Sequence, residues 1–209
     1  NELDIAGTAN VILNTGSINV SGNINLTNTA MAGGGTAAIN IVGNTNQTLD
    51  GTAIIENQSS LPLVNINKSG GTLPLSGNLP FTAHVSYTAG TIDPTTSTCY
   101  IVNSIAITGN FAVYNLTIDG AANVTVTMTA GNTLTATHTL NLQSGAFNIN
   151  INTGTIAVQG DMVDNNSGIA GGGTGTILIN GTGTQNITST GIIDQGKFPA
   201  VTINKLSGT

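Results

Sequence analysis

The chain has 209 residues, of which only 6% are charged; its net charge is −6 and its only cations are Lys68, Lys197 and Lys205, with no arginine. No basic patch is available to neutralise phosphates, which excludes nucleic-acid binding. A single cysteine, Cys99, excludes an internal disulfide, and no apolar run approaches the ~18 residues of a membrane-spanning helix.

Aromatic residues make up 3% of the chain and tryptophan is absent, yet Ile, Val and Leu are frequent and regularly placed. This predicts a folded chain with a thin aliphatic core, and speaks against an aromatic-lined pocket. No signal peptide opens at Asn1. A chain that begins mid-repeat reads as a mature or excised fragment, so export stays open.

From the N-terminus, Ile18-Asn19-Val20 and Ile24-Asn25-Leu26 alternate apolar and polar residues across the corner Ser21-Gly22-Asn23. Further along, Asn65-Ile66-Asn67, Asn123 to Thr129 and Asn148 to Asn152 do the same. Period two marks strands buried on one face, and no stretch carries a helical period. Small-residue corners recur at Val42-Gly43-Asn44, Ser76-Gly77-Asn78, Thr108-Gly109-Asn110, Ala130-Gly131-Asn132 and Gln159-Gly160-Asp161. Gly and Asn tolerate the positive φ that tight bends demand.

The chain also repeats itself. Gly33-Gly34-Gly35-Thr36 returns 138 positions later as Gly171-Gly172-Gly173-Thr174, and Gln47 returns as Gln185. Ile54-Ile55 meets Ile192-Ile193 at the same offset; after one deletion Ile66-Asn67-Lys68 meets Ile203-Asn204-Lys205 at 137. Residues from about 1–72 and 138–209 are copies of one part of a ~138-residue repeat, with 73–137 between them. Leu63 to Asn67, Tyr114 to Ile118 and Ala200 to Asn204 are variants of one strand. Similar strands at such intervals predict an all-β parallel β-helix (β-solenoid), one continuous segment over 1–209 with essentially no helix. At about 25 residues a turn and ~4.8 Å between turns, it makes roughly eight turns and a ~40 Å rod. A row of β-sandwiches with the same period is the rival fold.

The run Gly175 to Ile187 followed by Val201 to Lys205, with Tyr114 to Ile118 and Leu140 to Gly145, resembles tandem repeats of giant secreted cell-surface adhesin and filament proteins of Bacteroidetes. The resemblance covers most of the chain except about 80–105. It implies export to the cell surface and an adhesive or filament role, and it carries no catalytic residues across.

Several residues invite a chemical reading. Asp161 with Asp164, Asn165 and Asn166 is the best local cluster for a glycosidase carboxylate pair or a Ca²⁺ site. The first copy has Asn23, Leu26 and Thr27 where the second has Asp161, Asp164 and Asn165, so a solvated turn is expected. His84 and His138 are expected to be structural or solvent-facing; His138 meets Asn1 in the other copy. Cys99 reads as buried filler, with an intermolecular disulfide or thiol adduct as the alternative. Lys68 and Lys205 are expected to keep a turn solvated or to bond an exposed carbonyl. The Gly runs match no phosphate-loop spacing and read as turns or flexible excursions. The Thr125, Thr127 and Thr129 face raises ice binding, but outward Thr is favourable on any strand. Sequons such as Asn46-Gln47-Thr48, Asn115-Leu116-Thr117 and Asn186-Ile187-Thr188 are common by composition in so Asn- and Thr-rich a chain.

No catalytic, cofactor-binding or metal-site residues and no cofactor are therefore expected, and the chain does not read as an enzyme. The sequence predicts a structural and adhesive repeat region of a secreted bacterial surface protein, a rod that mediates attachment or motility. Its expected partners are neighbouring repeats or subunits, end to end, together with surface glycans or other cells. Nucleic acid and membrane insertion of this segment are not expected. The alternative is a carbohydrate-binding or carbohydrate-cleaving β-helix, which calls for facing carboxylates or an exposed aromatic surface; Tyr87, Tyr100 and Tyr114 are too scattered in sequence to establish one.

Overall fold

The computed structural model describes residues 2–30, 33–51 and 58–209. Ile54-Ile55 and Asn1, matched above to Ile192-Ile193 and His138, lie outside the described residues. Among the described residues there is no helix, and the named strands pair in parallel with strands one turn away. The molecule is a β-solenoid of about nine turns. Turn length varies around the 25 residues expected, and several turns are shorter: Asn19 and Asn40 meet across 21 residues, Asn40 and Asn65 across 25, and Thr98 and Asn115 across 17.

Stacking puts like side chains over like. One inner column runs Ile39, Val64, Val85, Ile107 and Met128, and a second runs Leu79, Cys99, Leu116, Leu140 and Met162. All ten are buried. Phe81 is the one aromatic residue among the fully buried apolar side chains, so the core is aliphatic and thin. The hydrophobic effect acts along the whole axis, because each turn caps the apolar face of the turn beneath it.

Residues matched between the copies occupy corresponding strands. Ser17–Val20 pairs with Ala38–Ile41 and that with Leu63 to Ile66; likewise Thr155–Val158 pairs with Thr176–Ile179 and that with Ala200–Ile203. The Gly run is not a free excursion in the first copy: Gly33–Gly34 is a short strand beside Val11–Ile12.

The corners carry a second set of bonds. A side-chain oxygen in one turn accepts a backbone N–H of a neighbouring turn: Asn23 from Thr48, Asn46 from Thr72, Asn110 from Thr133, Asn123 from Asn148 and Asp161 from Asn186. At corners the backbone leaves the ladder, and these oxygens accept from N–H groups that have no ladder partner there. On the outer face Asn19, Asn40 and Asn65 form an amide ladder: Asn40 Nδ2 donates to Asn19 Oδ1 and Asn65 Nδ2 to Asn40 Oδ1.

Close stacking fixes some corners as glycine. A Cβ on Gly160 would stand 1.8 Å from the carbonyl oxygen of His138, whereas one on Gly183 would meet nothing within 4 Å. Gly160→Ala is therefore expected to lower stability by at least ~1–3 kcal/mol in chemical denaturation, the range for forced overpacking, and Gly183→Ala by far less. Equal effects would show that the turns are not stacked in this register.

Candidate functional surface

The strongest polar constellation was visible in the sequence as two unconnected facts: the Gln47/Gln185 match and the Lys68/Lys205 match. The structure joins them. Gln47 Nε2 donates to the carbonyls of Val20 at 3.1 Å and Gly22 at 2.7 Å, one turn below. Lys68 Nζ, from the turn above, donates to the Gln47 Oε1 and to the Thr45 carbonyl at 2.9 Å. The second copy repeats the clasp: Gln185 donates to Val158 and Gly160, and Lys205 donates to Gln185 Oε1 at 2.6 Å, Gly183 at 2.8 Å and Gly181 at 2.9 Å. One lysine and one glutamine thus tie three turns together.

Lys68 does not keep its turn solvated. It is 2% exposed, and Gly90 lies over its stem: a Cβ there, at φ +116°, would stand 2.8 Å from Lys68 Cβ. Burial holds its ammonium below the usual lysine pKa. Lys205, the equivalent residue in the last turn, is only half-buried.

The acidic cluster does not form a cation cage. Asp164 is buried and accepts from the Asn166 backbone N–H and from the Ser189 hydroxyl, each at 3.1 Å. Asn165 accepts from Thr190, and Asn166 from the Gly168 N–H. The oxygens are directed to backbone and hydroxyl donors, and no group of three or more metal-ligating acids, histidines or cysteines occurs among the described residues. The turn is buried at Asp164 and Asn166 where a solvated one was expected. Asn166 also exposes a repeat feature that the sequence comparison missed: Asn28, 138 positions earlier, is equally buried and makes the same turn, accepting from the Ala30 N–H. Burial pushes the Asp164 carboxyl above its usual range, against the two hydrogen bonds.

The other candidates fall to separate places. His84 is exposed, and its Nδ1 accepts the Ala106 N–H at 2.8 Å, the role Asn takes at other corners. Cys99 is buried in the core and burial pushes its thiol up to about 12. Thr125 stacks beside Asn150 and Thr127 beside Asn152, so the threonine face does not continue as hydroxyls. His138 is exposed and stacks on Tyr114, with ring centroids 4.5 Å apart and planes 11° apart. Neither residue signals the other in sequence, because they lie one turn apart.

The last turn presents an apolar end face. Ile187, Val201 and Ile203 are exposed, at 50%, 45% and 68%, and Leu206 at 90%. Their matched residues Leu49, Val64 and Ile66 in the first copy are exposed by 3% or less. The difference is what lies above them: Val64 and Ile66 are covered by Val85 and Tyr87 of the next turn. No protein-family model, curated protein or solved structure matches the chain.

Four expectations follow from the buried groups. A double-mutant cycle on Gln47→Ala and Lys68→Met is expected to give a coupling energy of ~1–3 kcal/mol in equilibrium unfolding, and additive effects would show that the clasp carries no stability. The lowered pKa of Lys68 means that the folded chain loses this proton before the unfolded chain does, so wild type gains on Lys68→Met as pH rises toward 10.5. Asp164 has the opposite sign of slope: above 3.8 the folded state holds a proton that the unfolded state has released, so stability falls as pH rises through its raised pKa. Asp164→Asn removes that loss and is expected to gain on wild type over the same window, read from melting curves across pH. Finally, Cys99 is expected to resist alkylation by iodoacetamide in native buffer and to react fully in denaturant; native labelling would contradict its burial.

Proposed function

We propose that this chain is a structural repeat region of a secreted bacterial cell-surface protein or filament, a rod built to continue beyond its last turn and to serve attachment or motility. The observation that carries this reading is the pair of matched end positions. Val64, Ile66 and Lys68 are buried under a following turn, while Val201, Ile203 and Lys205 are the same kind of surface left open. An apolar face flanked by unpaired strand backbone is a surface that calls for a partner. The occupant is a further turn of the same repeat, equivalent to Val85–Asp93, supplied by a following copy.

The mechanism is mechanical. Backbone ladders run along the axis, and the corner amides and the Gln–Lys clasps cross-link successive turns, so a pull along the rod must break many bonds in series and in parallel. The low charge suits this design, because stacked charges of one sign would repel at a spacing of ~4.8 Å. The resemblance to giant surface-protein repeats supports placement outside the cell.

The test is to append a copy of residues 73–137 after Thr209. Protection of Ile203 and Lys205 and a rise in thermal midpoint of at least ~2–4 °C, the shift that ~1 kcal/mol gives at this size, are expected. An unchanged midpoint contradicts continuation. Removing the segment from the producing cell is expected to abolish attachment or motility; normal attachment without it contradicts the adhesive role.

A further inference from the structure

One wall carries Thr98–Ile101, Phe111–Ile118 and Thr133–Leu142. Pairing between the last two strands shifts after Val113: Val113 stands beside Ala136, but Asn115 stands beside Thr139. The extra residue in the upper strand makes Tyr114 face both Thr137 and His138. Such a bulge re-aims side chains, and here it lays the His138 ring flat on the Tyr114 ring. Gly160 in the turn above fits directly over the His138 carbonyl, so the bulge is accommodated by a corner that has no side chain.

Beside the stack lies a groove of about 290 Å³ lined by Thr98, Asn115, Thr117, His138, Thr139 and Asn141. Every lining side chain is uncharged or a histidine, and the row is pre-ordered. Asn115 Nδ2 donates to Thr98 Oγ1 at 3.3 Å, which turns its Oδ1 toward His138 Nδ1 at 3.0 Å; Thr139 Oγ1 lies 3.0 Å from the same nitrogen. That network fixes the ring while its Nε2 remains free of it. Asn141 Nδ2 donates to Gln143, and its buried Oδ1 is one of two buried side-chain polar atoms without a hydrogen-bond partner among the described residues. Tyr100 lies on the same face, one strand away, in register with Thr117 and Asn141.

We infer that this face binds a neutral glycan, with a sugar ring laid against the exposed His138 ring, itself stacked on half-buried Tyr114, and its hydroxyls bonded to Asn115 and Thr139. The C–H face of a pyranose suits a flat aromatic platform, and amide and hydroxyl groups offer both donors and acceptors to vicinal hydroxyls. The groove has no lysine or arginine to pair with uronate, sulfate or phosphate, and the chain as a whole carries a charge of −6. An anionic ligand is therefore disfavoured. This deepens the adhesive reading above by naming what the rod holds, but it is tested on the folded chain alone, independently of end-to-end continuation.

The experiment titrates the 209-residue chain, followed by heteronuclear NMR, with laminarihexaose and xylohexaose as wall-type neutral probes, lacto-N-neotetraose as a cell-coat probe, and trigalacturonate as the acidic counter-probe. Binding of at least one neutral probe, with shifts centred on Tyr114, Asn115 and His138, is expected. His138→Ala and His138→Gln, both checked for an unchanged melting curve, are expected to weaken it about tenfold or more. Thr127→Ala, exposed on another wall, leaves it unchanged. Absence of shifts with every neutral probe up to ~10 mM, stronger binding of trigalacturonate, or undiminished binding in both His138 variants overturns the inference. None of these results bears on whether an appended repeat stabilises the open end, so the two readings fail separately.

Discussion

The structure depends on one constraint: the outward backbone groups and the apolar face of each turn are satisfied only by the turn stacked on it. A buried N–H or C=O without a partner is costly, and a parallel strand cannot meet that need within its own turn. Everything else in the chain serves this stacking. The aliphatic columns supply burial along the axis, as in Leu79, Cys99, Leu116, Leu140 and Met162. The glycine corners let backbones approach, and the corner amides accept the N–H groups that leave the ladder.

The Gln–Lys clasp shows how the same constraint admits a buried charge. An ammonium removed from water is tolerated only when its donors find acceptors. Lys68 finds two, one of them a glutamine already held by the turn below. The position of each partner is set by stacking, so the clasp also reads the register between turns. Its recurrence at Lys205 places that lysine beneath a surface that, in the first copy, another turn completes.

The fold was legible in the sequence because its determinants are local: period-two alternation, Gly-Asn corners and the recurring strand centred on Ile66 and Ile203. The site-level pairings were not, because they join residues one turn apart and the turn length varies. Thr98 meets Asn115 across 17 residues, while Asp50 meets Ser76 across 26. With no fixed spacing, Gln47 and Lys68, or Tyr114 and His138, cannot be matched by counting. The acidic cluster misled for the converse reason. Asp161, Asp164, Asn165 and Asn166 are near in sequence, but strand alternation and the buried turn aim their oxygens at different neighbours. The eight expected turns became about nine because the mean turn is shorter than assumed.

Function on this account is distributed. On the proposed reading the C-terminal face meets another turn, while one side wall departs from regular pairing at Tyr114. Amide hydrogen exchange resolved along the chain tests the central claim of one-dimensional stacking most directly. Strands with a turn on both sides, such as Ile105–Thr108, Val124–Met128 and Thr133–Leu142, are predicted to exchange slowest, and Ala200–Ile203 at the open end fastest. Uniform protection from one end to the other, or slow exchange in Ala200–Ile203 of the isolated chain, would contradict it.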